Sequence, residues 1–87
     1  MKRISTDSIA RTPLQLGSFL RERRRQSGLT QEQLATRVGV RQRTISDLEA
    51  TGIARTATLL AVLAALDLEL VVRPRTKSTA HDIEALF

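Results

Sequence analysis

The sequence predicts an all-α domain of four to five short helices that closes with one β-strand, and three observations carry this expectation. Apolar residues recur at helical spacing in four consecutive stretches between Leu16 and Leu66. The stretches are bounded by helix-start boxes at Thr12-Pro13-Leu14-Gln15 and Thr30-Gln31-Glu32-Gln33, and by stop glycines at Gly28, Gly39 and Gly52. After Leu66 the period changes to two in Leu68-Glu69-Leu70-Val71-Val72-Arg73, and Pro74 ends the run.

Residues 1–11 have neither period and read as a flexible basic arm. Thr12 can cap the first helix, Pro13 fits the position that needs no amide partner, and Gln15 stands at capping-box spacing. Leu16, Phe19, Leu20 and the stem of Arg23 then form one apolar stripe. Arg21, Arg23, Arg24 and Arg25 spread around the cylinder, so they cannot all meet one surface. In the second helix, opened by Thr30, the apolar side is Leu34, Ala35 and Val38. The third starts near Gln42 with Ile45 and Leu48 inward and Arg41 at the cap, where its side chain offers no acceptor to the free amides.

A fourth helix begins at Arg55 or Thr56. Leu59, Leu60, Val62, Leu63 and Leu66 leave it only a narrow polar face, which suggests cover on two sides, by its own core and by a second subunit. The strand at residues 68–73 has no partner in the chain. Isolated strands are unstable, so the simplest partner is the same strand of a second copy, joined through Leu68, Leu70 and Val72. Residues 12–73 thus form one domain, and residues 74–87 a flexible tail in which Ile83, Leu86 and Phe87 would share one face of a final turn.

Composition narrows the partners. The chain has 87 residues and a formal charge of +5, and of its 14 basic residues all but Lys2 and Lys77 are arginine. Guanidinium forks suit phosphates and guanine edges, so nucleic acid is the first partner to consider. Single-stranded recognition needs aromatic platforms, and only Phe19 and Phe87 are available. No cysteine is present for a thiolate metal site, His81 stands alone, and no nucleophile-base pair or glycine-rich phosphate loop occurs, so neither catalysis nor a cofactor is expected. The window from Leu59 to Val72 is broken by Asp67 and Glu69 and is too short to span a bilayer. Ser5, Thr6, Asp7 and Ser8 stand where a signal peptide needs an apolar run, and the expected location is cytoplasmic.

The spacing within Gln31 to Leu48 is the most informative feature. A small Ala35 suits a steep helix crossing, Gly39 supplies the positive φ of a tight turn, and Leu34, Val38, Ile45 and Leu48 fill a small core. That pattern specifies a helix-turn-helix whose second helix leaves one face free to enter a major groove.

Here Gly28-Leu29-Thr30-Gln31-Glu32-Gln33-Leu34-Ala35, Val38-Gly39-Val40 and Thr44-Ile45-Ser46-Asp47-Leu48-Glu49 resemble the Cro/cI-type (XRE) repressor domains, over about Leu14 to Leu66. The resemblance implies a lambda-repressor-like fold. The passage from Val62 to Val72 and the short tail are further similar to the HipB-type antitoxins of HipA-type serine/threonine kinase toxins. This second resemblance implies a homodimeric autorepressor that binds a palindromic operator and neutralises a kinase toxin.

Roles transfer where residues match. Gln31 matches a residue that binds backbone phosphate at a helix terminus. Arg41, Gln42 and Arg43 match the start of the recognition helix, where arginine forks to guanine and glutamine pairs with adenine. Thr44 and Ser46 offer hydroxyls to phosphates or base edges. Asp47 departs from the pattern, since phosphate repels it unless it accepts from cytosine N4 or pairs with Arg43 four residues earlier. Ile83, Leu86 and Phe87 are the candidate toxin contacts. Two alternatives stay open: an XRE regulator without a toxin, and an interaction module that neutralises a partner without specific DNA binding.

Overall fold

The computed structural model describes residues 7–75. Four helices follow one another: α1 (Pro13–Gln26), α2 (Gln31–Val38), α3 (Gln42–Thr51) and α4 (Thr56–Ala65). The described residues contain no strand. α1 and α2 both pack on α3, α2 also meets α4, and α4 turns 97° away from α3.

Local chemistry sets most boundaries. Thr12 Oγ1 accepts from the Gln15 amide at 3.1 Å and caps α1. The expected box is incomplete, because Gln15 Oε1 accepts from the Arg11 amide at 2.7 Å, one residue before the cap. At α2 the box is reciprocal: Thr30 Oγ1 accepts from the Gln33 amide, and the Thr30 amide donates to Gln33 Oε1. Gly39, at φ 85°, turns the chain into α3, and both its amide and that of Val40 donate to the Ala35 carbonyl.

Leu20, Leu34, Ala35, Ile45, Leu48, Val62, Leu63 and Leu66 form the core, with Leu16, Leu29, Val38, Leu59 and Leu68 packed against its edge. Gly17 is buried where α1 crosses α3. A Cβ there would stand 2.5 Å from the Glu49 carbonyl oxygen and 2.7 Å from that of Leu48.

The end of α4 uses a motif that no glycine announces. The Leu68 amide donates to the Leu63 carbonyl and the Asp67 amide to that of Ala64, with Asp67 in the left-handed region at φ 61°. This is the Schellman arrangement, with aspartate in place of glycine. Arg23 Nε donates to the Leu66 carbonyl at 3.0 Å and ties the same end to α1.

No single described helix is long and apolar enough to cross a membrane. Leu60 on α4 and Leu70, Val71 and Val72 beyond it are exposed in the single chain. The expected strand pairing joins two copies and is not present within one.

Candidate nucleic-acid interface

The candidate surface is the outward side of α3. At about 100° per residue, Arg43, Asp47 and Ala50 stand opposite the buried Ile45, Leu48 and Glu49. Arg41, Gln42, Arg43 and Asp47 are all exposed. Thr44 and Ser46 are half-buried on the two flanks. Thr44 lines a side groove with Val40, Ile53, Ala54, Arg55 and Thr58, and Asp47 borders the same groove, so the groove adjoins the outward stripe at Asp47.

At the start of α3 the Thr44 amide donates to the Arg41 carbonyl at 2.9 Å, and no side chain caps the amides before it. Arg41 caps α3 in extended conformation with no side-chain hydrogen bond. The first amides of a helix lack intrahelical acceptors and carry the positive end of its dipole, which suits an anionic ligand. Arg43 and Asp47, one turn apart, form an exposed ion pair with Nε and Oδ2 3.8 Å apart. The pairing expected from their spacing is present, at ion-pair rather than hydrogen-bond distance.

Gln31 and Gln42 are joined from behind. Gln42 Nε2 donates to Gln31 Oε1 at 2.9 Å, and Gln31 Nε2 donates to Glu49 Oε1 at 3.0 Å. Glu49 in turn accepts from Arg24 Nε at 2.6 Å and from Arg24 Nη2 at 3.1 Å, and Arg24 Nη1 donates to the Leu29 carbonyl at 2.7 Å. A continuous polar chain therefore runs from α1 through the base of α3 to the start of α2 and back to the first residue of α3. The hydrogen bond to Glu49 raises the Arg24 pKa above its ordinary value; burial opposes it, and Glu49's charge adds to the rise. No buried side-chain nitrogen or oxygen among the described residues lacks a partner.

The structure thus joins Gln31 to Gln42 and Arg43 to Asp47, and leaves Arg41 exposed at the cap of α3. Leu68 is half-buried against the core, while Leu70 and Val72 are exposed beyond α4. Ile83, Leu86 and Phe87 lie outside the described residues. Sequence reasoning missed Arg24, Glu49 and Ala50. Arg24 continues the Leu16 and Leu20 stripe and Glu49 follows Ile45 by four, so opposite charges on two facing apolar stripes were the available signal. Ala50 follows Asp47 by three and extends the outward stripe with a side chain small enough for close approach.

Residues 20–72 match the helix-turn-helix family. The solved structure described as "HipB-O4 20mer complex" aligns with a TM-score of 0.72 at 29% identity, over 82% of this chain and 100% of that one. A complex of a HipB variant with an O2 20mer aligns with a TM-score of 0.72 at 30% identity, over 83% of this chain and 100% of the other. The "HipA-HipB-O2-O3 complex" gives 0.71 at 29% identity, over 82% and 100% respectively. No protein of curated function matches the chain by sequence.

Proposed function

The chain belongs to the XRE-type helix-turn-helix family, and on that premise we propose that it is a dimeric, sequence-specific DNA-binding repressor and the antitoxin of a HipA-like kinase toxin. The observation that carries the DNA half is the outward side of α3. Arg43 stands on it, Arg41 is exposed at the cap where no side chain closes the helix start, and Gln42 donates a hydrogen bond to Gln31. A regulator rather than an enzyme fits this surface.

In this reading Gln31 and the start of α2 grip backbone phosphate, while Arg41, Gln42 and Arg43 read base edges. Ser46, on the Gln42 flank, and Thr44, on the opposite flank, border the groove walls. Two copies joined through α4 and residues 68–73 present their α3 helices to half-sites of a palindromic operator, about 34–36 Å apart. The antitoxin half is supported by the likeness to solved HipB structures over the whole of the matched chain, one of them a complex that contains HipA. The tail, with Ile83, Leu86 and Phe87, is assigned to the toxin contact.

The test has two arms. The full chain should bind palindromic duplex DNA from its own promoter region, with log K falling linearly against log salt at about −0.9 per phosphate neutralised. It should also co-purify with a kinase encoded beside it. Affinity equal for promoter and random duplex removes the repressor reading, and a chain that purifies without a kinase removes the antitoxin reading.

A further inference from the structure

Arg43 and Asp47 occupy the middle of the outward side of α3, with side chains 88% and 63% exposed. A carboxylate in the centre of a surface that meets a polyanion weakens every complex in which it finds no donor. Guanine O6 and N7, adenine N7 and thymine O4 are all acceptors and repel it; only cytosine N4 and adenine N6 carry amino groups that can donate to it.

The geometry of the pair leaves both groups able to read. Arg43 turns its Nε toward Asp47 Oδ2, and no hydrogen bond engages its two terminal nitrogens among the described residues. That end-on edge is the fork that matches guanine O6 and N7. No hydrogen bond engages Asp47 Oδ1 among the described residues. The two residues are separated by four steps of helix, about 6 Å along the axis, which spans one to two base-pair steps of roughly 3.4 Å. The neighbouring Gln42 is tied back to Gln31, and Ala50, next along the stripe, is too small to hold the bases away.

We propose that Arg43 and Asp47 act as one specificity-determining unit, in which Arg43 takes a guanine and Asp47 requires an amino-bearing base, cytosine or adenine, one or two pairs further on. This rests on the DNA-binding reading above and adds a polarity to it. Asp47 acts chiefly by exclusion: it weakens binding to DNA in general, and less to sites that present an amino group at that place. A pair that served only helix stability would leave base preference untouched, since an exposed pair one turn apart contributes little.

Selection from a pool of randomised duplexes with the full-length protein tests this directly. The wild type should enrich a guanine followed, one or two pairs on, by cytosine or adenine on one strand. Asp47→Ala should keep the guanine, lose the second preference by about tenfold, and bind random duplex more tightly than the wild type. Asp47→Asn, which can both accept and donate, should narrow the second position to adenine. Arg43→Ala should lose the guanine. Both positions are exposed, and unaltered melting temperatures confirm that the variants compare like with like. An Asp47→Ala pool identical to the wild-type pool overturns the proposal and leaves the DNA-binding reading intact. A wild-type pool with no preferred sequence overturns both.

Discussion

Arg24 on α1 and Glu49 on α3, separated by 25 residues in sequence, meet in a buried two-point ion pair. Their side chains are 9% and 4% exposed. Two charges this well sequestered cost desolvation, which the paired geometry and the third hydrogen bond from Arg24 to the Leu29 carbonyl offset. The pair also fixes Glu49 Oε1, which accepts from Gln31 Nε2 as well as from Arg24 Nη2. An ion pair that looks purely structural therefore stands directly behind the proposed DNA-reading surface.

Removing one partner should be far worse than removing both. Glu49→Ala leaves a guanidinium buried without its anion and should cost about 3–5 kcal/mol, whereas joint replacement of both by apolar residues of similar volume should recover most of that loss. Urea denaturation of the two single variants and the double variant checks this. The raised Arg24 pKa adds no pH dependence in the working range: its stabilising share is fully present below the ordinary arginine value and is lost only as pH rises through the still higher folded value. Single variants that lose no more than an exposed pair would show that the site relaxes or admits water.

The glycines separate two kinds of strain. At Gly39, φ is 85° and a Cβ would meet nothing within 4 Å, so Gly39→Ala should cost only the left-handed penalty of about 1–2 kcal/mol. Gly52 combines φ 74° with backbone atoms of Pro13 in the space a Cβ would take. Gly52→Ala must therefore also push the start of α1 away from the end of α3 and should destabilise clearly more. Denaturant midpoints decide it, and equal losses at the two sites would mean that α1 yields without cost.

How much of this could be read from sequence depends on the reach of each interaction. The Thr30–Gln33 box, the Gly39 turn and the Arg43–Asp47 pair involve residues at most a few places apart, and periodicity and capping rules find them. Gly17 looked like any helix-interior glycine, because its reason lies on α3, in the carbonyls of Leu48 and Glu49. Arg24 was one arginine among four until its partner 25 residues away was known. The Asp67 turn was hidden for another reason: aspartate visits the left-handed region less often than glycine, so sequence alone marks the position weakly. Among the proposed DNA contacts, spacing put Gln31 and Gln42 on the right elements but gave no hint that each holds the other.

That mutual hold changes what a Gln31 variant should do. A residue that only gripped phosphate would, on truncation to alanine, weaken all DNA sites alike. Gln31→Ala also releases Gln42 from its acceptor, so a loss of preference at the base Gln42 reads should accompany the general loss. Glu49→Gln supplies a milder version, because an amide at that place can still accept from Gln31 while weakening the ion pair with Arg24. Competition binding with a duplex altered at single positions measures both effects. If Gln31→Ala lowers affinity by the same factor on every duplex, the Gln31–Gln42 hydrogen bond has no part in base readout.

The proposed dimer rests on surface that one chain leaves open. Leu60 is 45% exposed, Leu70 57% and Val72 92%, while Leu68 packs against the core. Arg23 holds the Leu66 carbonyl and the Asp67 turn fixes the direction in which the chain leaves α4, so residues 68–73 start from a fixed point. If they pair with their counterparts in a second copy, Leu70→Asp places an unpaired charge in the seam and should cost several kcal/mol of association. Leu60→Asp should weaken the same assembly from the helical side. Sedimentation at micromolar concentration would show both variants as monomers with α1 to α4 still folded. Because a monomer offers one recognition helix in place of two, each variant should also lose operator affinity while keeping its weak binding to a single half-site. A Leu70→Asp protein that sediments as the wild type does would place the dimer contact elsewhere, with the exposed leucine of α4 the next surface to change.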